Sequence, residues 1–120
     1  MMDDHEAYDL LIKGRELLES GHHHQAVIVL ERATLVEPDK TSIRETLARA
    51  LYNSGQTDRA GEEFARVLEL DPSNDYAYFG LGLCHARMGR RVRAIGQLKI
   101  AVAMRPDHEH YRRALLRLAG

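Results

Sequence analysis

A chain of 120 residues with 44% apolar and 29% charged residues holds at most one modest core, and is too apolar for a disordered segment. One cysteine, Cys84, excludes an intrachain disulfide and fits a reducing compartment. The acidic N-terminus has no secretory core and no stretch approaches the roughly 18 apolar residues of a membrane span, so a cytoplasmic protein without membrane contact is expected. The net charge of −1 hides an asymmetry. Residues 1–60 carry 11 Asp/Glu against 7 Lys/Arg, and residues 61–120 carry 7 against 10. Opposite charges at the two ends can steer a partner or favour head-to-tail association, or are simply solvated surface.

The first apolar stripe, Leu10, Gly14, Leu17 and Leu18, recurs at helical steps and predicts a helix over about 7–20, ended by Ser20-Gly21. Ala26, Val27, Leu30, Ala33 and Thr34 line a second helix, about 24–36, which Pro38 stops. Thr41–Asn53 follows with Leu47, Ala48 and Leu51 inward, then Asp58–Leu70 with Ala60, Phe64, Val67 and Leu68 inward. Asp58 is the expected start of that fourth helix. Asp75–Met88 carries Tyr78, Leu81, Gly82 and His85, and Arg91–Met104 carries Ala94, Ile95, Leu98, Ala101 and Val102. A seventh helix begins after Pro106, with Asp107 as expected N-cap and Tyr111, Leu115 and Leu118 as its apolar positions.

These elements repeat. Pro38, Pro72 and Pro106 are the only prolines and stand 34 residues apart. The same period aligns Gly21, Gly55 and Gly89; Ala26, Ala60 and Ala94; and Leu30, Phe64 and Leu98. A 34-residue period belongs to a helix–turn–helix solenoid. Small residues at Gly14, Ala48 and Gly82 face Ala26, Ala60 and Ala94 and allow the paired helices to approach closely. The expected fold is all-α: one domain, 1–120, with units 7–40, 41–74 and 75–108 and a capping helix 109–120, seven helices in all.

The series Leu10, Gly14, Gly21, Ala26, Leu30, Pro38, with its two later counterparts, resembles the tetratricopeptide repeat (TPR) family over nearly the whole chain. The resemblance implies a right-handed solenoid of three repeats plus the capping helix. Lys13, Arg44 and His85 depart from the family pattern, standing where leucine, a large apolar residue and tyrosine are usual.

The family has no common activity beyond scaffolding and peptide binding, with the first helix of each hairpin lining a concave groove. Carried onto this chain, the groove positions are Tyr8, Leu11, Arg15, Leu18 and Glu19, then Ser42, Glu45, Arg49, Tyr52 and Asn53. Tyr76, Phe79, Leu83, Ala86 and Arg87 follow, with Arg112 closing the end. Tyrosine and arginine offer large contact area with a directional polar group. Arg15 and Arg49 stand one repeat apart and suit a carboxylate or acidic side chains, unless they pair with Glu19 and Glu45. Of the lysine–asparagine clamp by which some family members hold a C-terminal carboxylate, only Asn53 has a counterpart, on the wrong turn of its helix.

Other chemistry is poorly supplied. His22-His23-His24 has no cysteine or carboxylate at a structural zinc spacing, and no metal or cofactor is expected. Cys84 and His85, as helical neighbours, point about 100° apart and do not make a nucleophile–base pair. The run Arg87, Arg90, Arg91, Arg93 lacks interleaved aromatics, which disfavours nucleic acid. The leading expectation is a non-enzymatic protein- or peptide-binding scaffold. The alternatives are a self-assembling homo-oligomer and an accessory protein that meets nucleic acid through its basic half.

Overall fold

A computed structural model describes residues 4–120. Seven helices follow in order: α1 (Asp4–Glu19), α2 (His23–Val36), α3 (Thr41–Asn53), α4 (Thr57–Leu70), α5 (Asp75–Arg87), α6 (Arg91–Met104) and α7 (Glu109–Ala119). No strand occurs among the described residues. The helices pair as α1–α2, α3–α4 and α5–α6, and each hairpin stacks on the next, with α7 closing the array against α6. The body is elongated, 51 × 26 × 23 Å. It is an all-α solenoid of three helical hairpins with a capping helix.

Each hairpin turns on one glycine with positive φ: Gly21 at 81°, Gly55 at 86° and Gly89 at 78°. The next residue then donates its N–H back into the helix, as Gln56 does to the Leu51 carbonyl at 2.8 Å. This left-handed residue followed by a reversed bond satisfies carbonyls that a helix end leaves open. Only glycine adopts that conformation without strain.

The expected helix limits need several adjustments. α1 extends to Asp4, three residues before the expected start, and α4 begins at Thr57, which places Asp58 inside the first turn. Asp107 does not cap α7; His108 holds that position, without a side-chain bond. A true side-chain cap exists at α5 instead, where Asn74 accepts from the Ala77 N–H at 2.9 Å.

The inner row follows volume complementarity. Leu30, Phe64 and Leu98 occupy equivalent places and are each at most 2% exposed. A Cβ on Gly14 would come within 2.5 Å of Leu30, and one on Gly82 within 2.8 Å of Leu98, so these hairpins close only over glycine. Phe64 is longer and reaches the next hairpin, where a Cβ on Gly80 would lie 2.3 Å from its ring. The residues equivalent to Gly80 are Thr46 and Ala114, which follow the shorter leucines.

The outer face of α1 differs from its counterparts. Asp9, Lys13 and Glu16 are exposed there, where α3 has buried Ile43, Leu47 and Ala50. Arg44, at a position usually large and apolar, is accommodated by pairing with Glu63 at 3.0 Å and donating to the Pro38 carbonyl at 2.8 Å.

Candidate peptide-binding groove

The backbones of the odd-numbered helices approach in series, α1 to α3 to α5 to α7, whereas those of α2, α4 and α6 stay farther apart. The odd helices therefore form the inner, concave wall and the even helices the outer one. Helical spacing within α3 and α5 brings Arg49, Tyr52, Asn53, Tyr76 and Leu83 around one pocket of about 130 Å³, with Phe64 and Gly80 at its base. Gly80 opens this pocket as well as admitting Phe64, since it offers no side chain of its own.

The pocket is aromatic with one cationic lip. Phe64 meets Tyr76 edge-on with ring centres 6.0 Å apart, and Tyr76 lies 6.1 Å from Phe79. Phe79 stacks on Tyr111 at 4.7 Å, and Tyr111 on His108 at 3.7 Å. Burial, opposed by Arg49 and reinforced by Glu45, pushes the Tyr76 phenol up to about 12, so it remains a neutral hydrogen-bond donor at physiological pH. Arg49 is exposed and forms no hydrogen bond or ion pair. The pairing with Glu45 that the sequence allowed is absent: Glu45 instead accepts from Asn74 at 2.9 Å. Arg15 is likewise unpaired.

The other groove candidates divide. Leu11 and Leu18 are each 5% exposed and belong to the core. Tyr8 is 61% exposed and, with Leu11 and Lys40, borders a separate hollow of about 40 Å³. Leu83 continues into a shallow trough with Ala86, Ala114, Arg117 and Leu118. Phe79 is held in the aromatic stack, and Arg87 lies over Tyr52. Arg15 and Arg112 are exposed and line none of these hollows. Phe64 and Gly80 were missed as site residues, because their place at the pocket base depends on packing between hairpins.

The remaining candidates for chemistry are largely occupied. Burial raises the Cys84 thiol to about 11, against a smaller opposing effect of Arg87. Of the arginine run, Arg87 is engaged by Tyr52 and Arg91 donates to the Leu118 carbonyl. Among the described residues no group of three or more His, Cys, Asp or Glu is placed to hold a metal ion, and no helix is long and apolar enough to cross a membrane.

Comparison with known proteins agrees with this architecture. A tetratricopeptide repeat family profile matches residues 13–74 and again 45–109. Superkiller complex protein 3 of Mus musculus is 30% identical over 98 residues, covering 82% of this chain and 6% of that protein. A TPR repeat-containing protein of Pseudomonas aeruginosa is 32% identical over 101 residues, covering 84% of this chain and 39% of the relative. The chain thus spans well under half the length of these relatives. Among solved structures, YrrB, described as a TPR protein with an unusual peptide-binding site, superposes with TM-score 0.87 at 27% identity, over 94% of this chain and 57% of that one. The first TPR domain of Spaghetti (RPAP3), bound to an HSP90 peptide, gives TM-score 0.92 at 16% identity, over 98% of this chain and 94% of its own. The chain belongs to the tetratricopeptide repeat family.

Proposed function

We propose that the chain is a non-enzymatic adaptor that binds a protein or peptide segment on its concave face, centred on the Arg49–Tyr52–Tyr76–Leu83 pocket. One observation carries this reading: an unpaired arginine stands on the lip of an aromatic pocket. A cavity of about 130 Å³ suits one apolar side chain. Arg49 then pairs with a neighbouring carboxylate, and the Tyr76 hydroxyl donates to a backbone carbonyl of the segment. Such a pair gains more beside an apolar wall than in open water. Support comes also from the peptide complexes of the Spaghetti TPR domain and of the secretion chaperone SycD, which share the fold.

A displayed library of random dodecapeptides, selected on the purified chain, tests the reading. Selected peptides should pair an acidic residue with an apolar one, and calorimetry should show at least tenfold weaker binding to Arg49→Glu. A selection whose every peptide binds Arg49→Glu as tightly as the parent chain refutes it.

A further inference from the structure

The 34-residue period gives each gap between outer helices a counterpart elsewhere in the chain. Between α2 and α4 the gap is closed. Val27 is 4% exposed, Leu51 beneath it is fully buried, and Arg59 of α4 pairs with Glu31 of α2 across it. Thirty-four residues on, the same four places are held by Gly61, His85, Arg93 and Ala65. The valine that fills the first gap is replaced by glycine, the bridging carboxylate by alanine and the buried leucine by histidine, while the arginine is kept.

The second gap, between α4 and the start of α6, is accordingly an open crevice of about 500 Å³: α4 gives Gly61 and Ala65, α5 gives Leu81 and His85, and Met88 and Arg90 of the turn into α6 form the far side. Arg90 and Arg93 form no ion pair. Arg90 stands on the crevice wall and Arg93 follows it in the first turn of α6; both lower the basicity of His85, as burial does more strongly. Asp58 and Glu62, also unpaired, form the opposite lip on α4.

Packing does not require the opening. A Cβ on Gly61 would lie 3.7 Å from the Cys84 Cβ and 3.8 Å from the Leu81 Cδ1, ordinary contact distances, unlike the clashes at Gly14, Gly80 and Gly82. A helical glycine disfavours folding; Gly61 and Gly96 both lack a steric reason for it, but only Gly61 lines a crevice.

We propose that the α4–α6 crevice is a second docking site, on the convex face, for a protein segment that presents a bulky apolar side chain beside an acidic one. The apolar group lies over Gly61 between Leu81 and Met88, where Val27 closes the other gap. The carboxylate takes the place that Glu31 holds in the first gap and pairs with Arg93, with Arg90 adding to the attraction. Asp58 and Glu62 repel it from the α4 lip and so set the direction of the segment. The site is independent of the concave pocket, and both can be filled together.

The dodecapeptide library, selected on the parent chain, separates the two sites through two variants. Gly61→Val/Ala65→Glu restores the residues of the closed gap, and its helical circular dichroism and melting temperature should match or exceed the parent. A class of peptides with adjacent acidic and bulky apolar residues should bind the parent and Arg49→Glu equally, and lose at least tenfold on Gly61→Val/Ala65→Glu. On Arg93→Glu the same peptides should recover binding when their acidic residue is changed to lysine. If every selected peptide binds Gly61→Val/Ala65→Glu as well as the parent, the crevice is not a docking site. Failure of Arg49→Glu to weaken any peptide counts against the concave reading alone.

Discussion

Arg87 crosses from α5 to α3 and covers Tyr52, its guanidinium carbon 3.5 Å from the ring centre while one N–H donates to the Tyr52 carbonyl at 2.8 Å. The acceptor lies near the C-terminal end of α3, where helix carbonyls are electron-rich and a cation is favoured. A single side chain thus joins a cation–π contact and a charged hydrogen bond between neighbouring hairpins, and fixes one wall of the concave pocket. Replacing Arg87 with alanine should lower stability by about 1–2 kcal/mol, the usual worth of such contacts at an exposed site. Urea unfolding of the two chains checks this; Arg87→Lys should recover only part of the loss, since lysine cannot stack as a plane.

Gly80 and Gly61 make opposite predictions for the same change. Gly80→Ala forces a methyl into the Phe64 ring and should destabilise by about 1–3 kcal/mol despite alanine's better helix propensity. Gly61→Ala meets only ordinary contacts and should stabilise by about 0.5–1 kcal/mol. Denaturant midpoints of the two variants against the parent measure both signs at once.

This contrast marks what the sequence could reveal. The period, the turn glycines and the prolines are local signals, so seven helices were legible with errors of a few residues at their ends. The expected caps at Asp58 and Asp107 failed because several polar residues precede each helix and the backbone path decides among them. Arg49, Tyr52, Asn53, Tyr76 and Leu83 were legible as one groove because family geometry places them on adjacent first helices. Leu11 and Leu18 belong to the hydrophobic core instead of the groove, and the place of Gly80 is not legible because its partner, Phe64, is on another hairpin. The opening beside Gly61 needed the closed gap beside Val27 as its reference.

His85 makes stability depend on pH. Burial, then Arg90 and Arg93, lower its basicity in the folded chain below its ordinary value. The unfolded chain therefore binds the proton more readily. Stability is fully present above the unfolded value of about 6.5 and falls as the pH drops through it toward the folded value. Melting temperatures at about pH 5 and about pH 7.5 should differ less in His85→Leu, which places at this position the residue found at Leu17 and Leu51.

The capping helix is held by a buried phenol. Tyr111 donates to Asp75 at 2.6 Å and is 2% exposed, while Arg105 lies 3.8 Å from the same carboxylate. Tyr111→Phe keeps the stack on Phe79 and leaves Asp75 with the weaker ion pair. A loss of about 1–2 kcal/mol is expected. Hydrogen exchange should report it as faster exchange in α7 than in α1 through α4.

The concave site is tested most directly by nuclear magnetic resonance on the labelled chain, titrated with a library-selected peptide whose binding Arg49→Glu weakens. Amide and side-chain shifts should change most at Arg49, Tyr52, Tyr76 and Leu83, with the Arg49 guanidinium signal slowed and displaced by its new partner. Shifts confined to α2, α6 or the outer face of α4, with Arg49 and Tyr76 unmoved, would contradict a concave binding site.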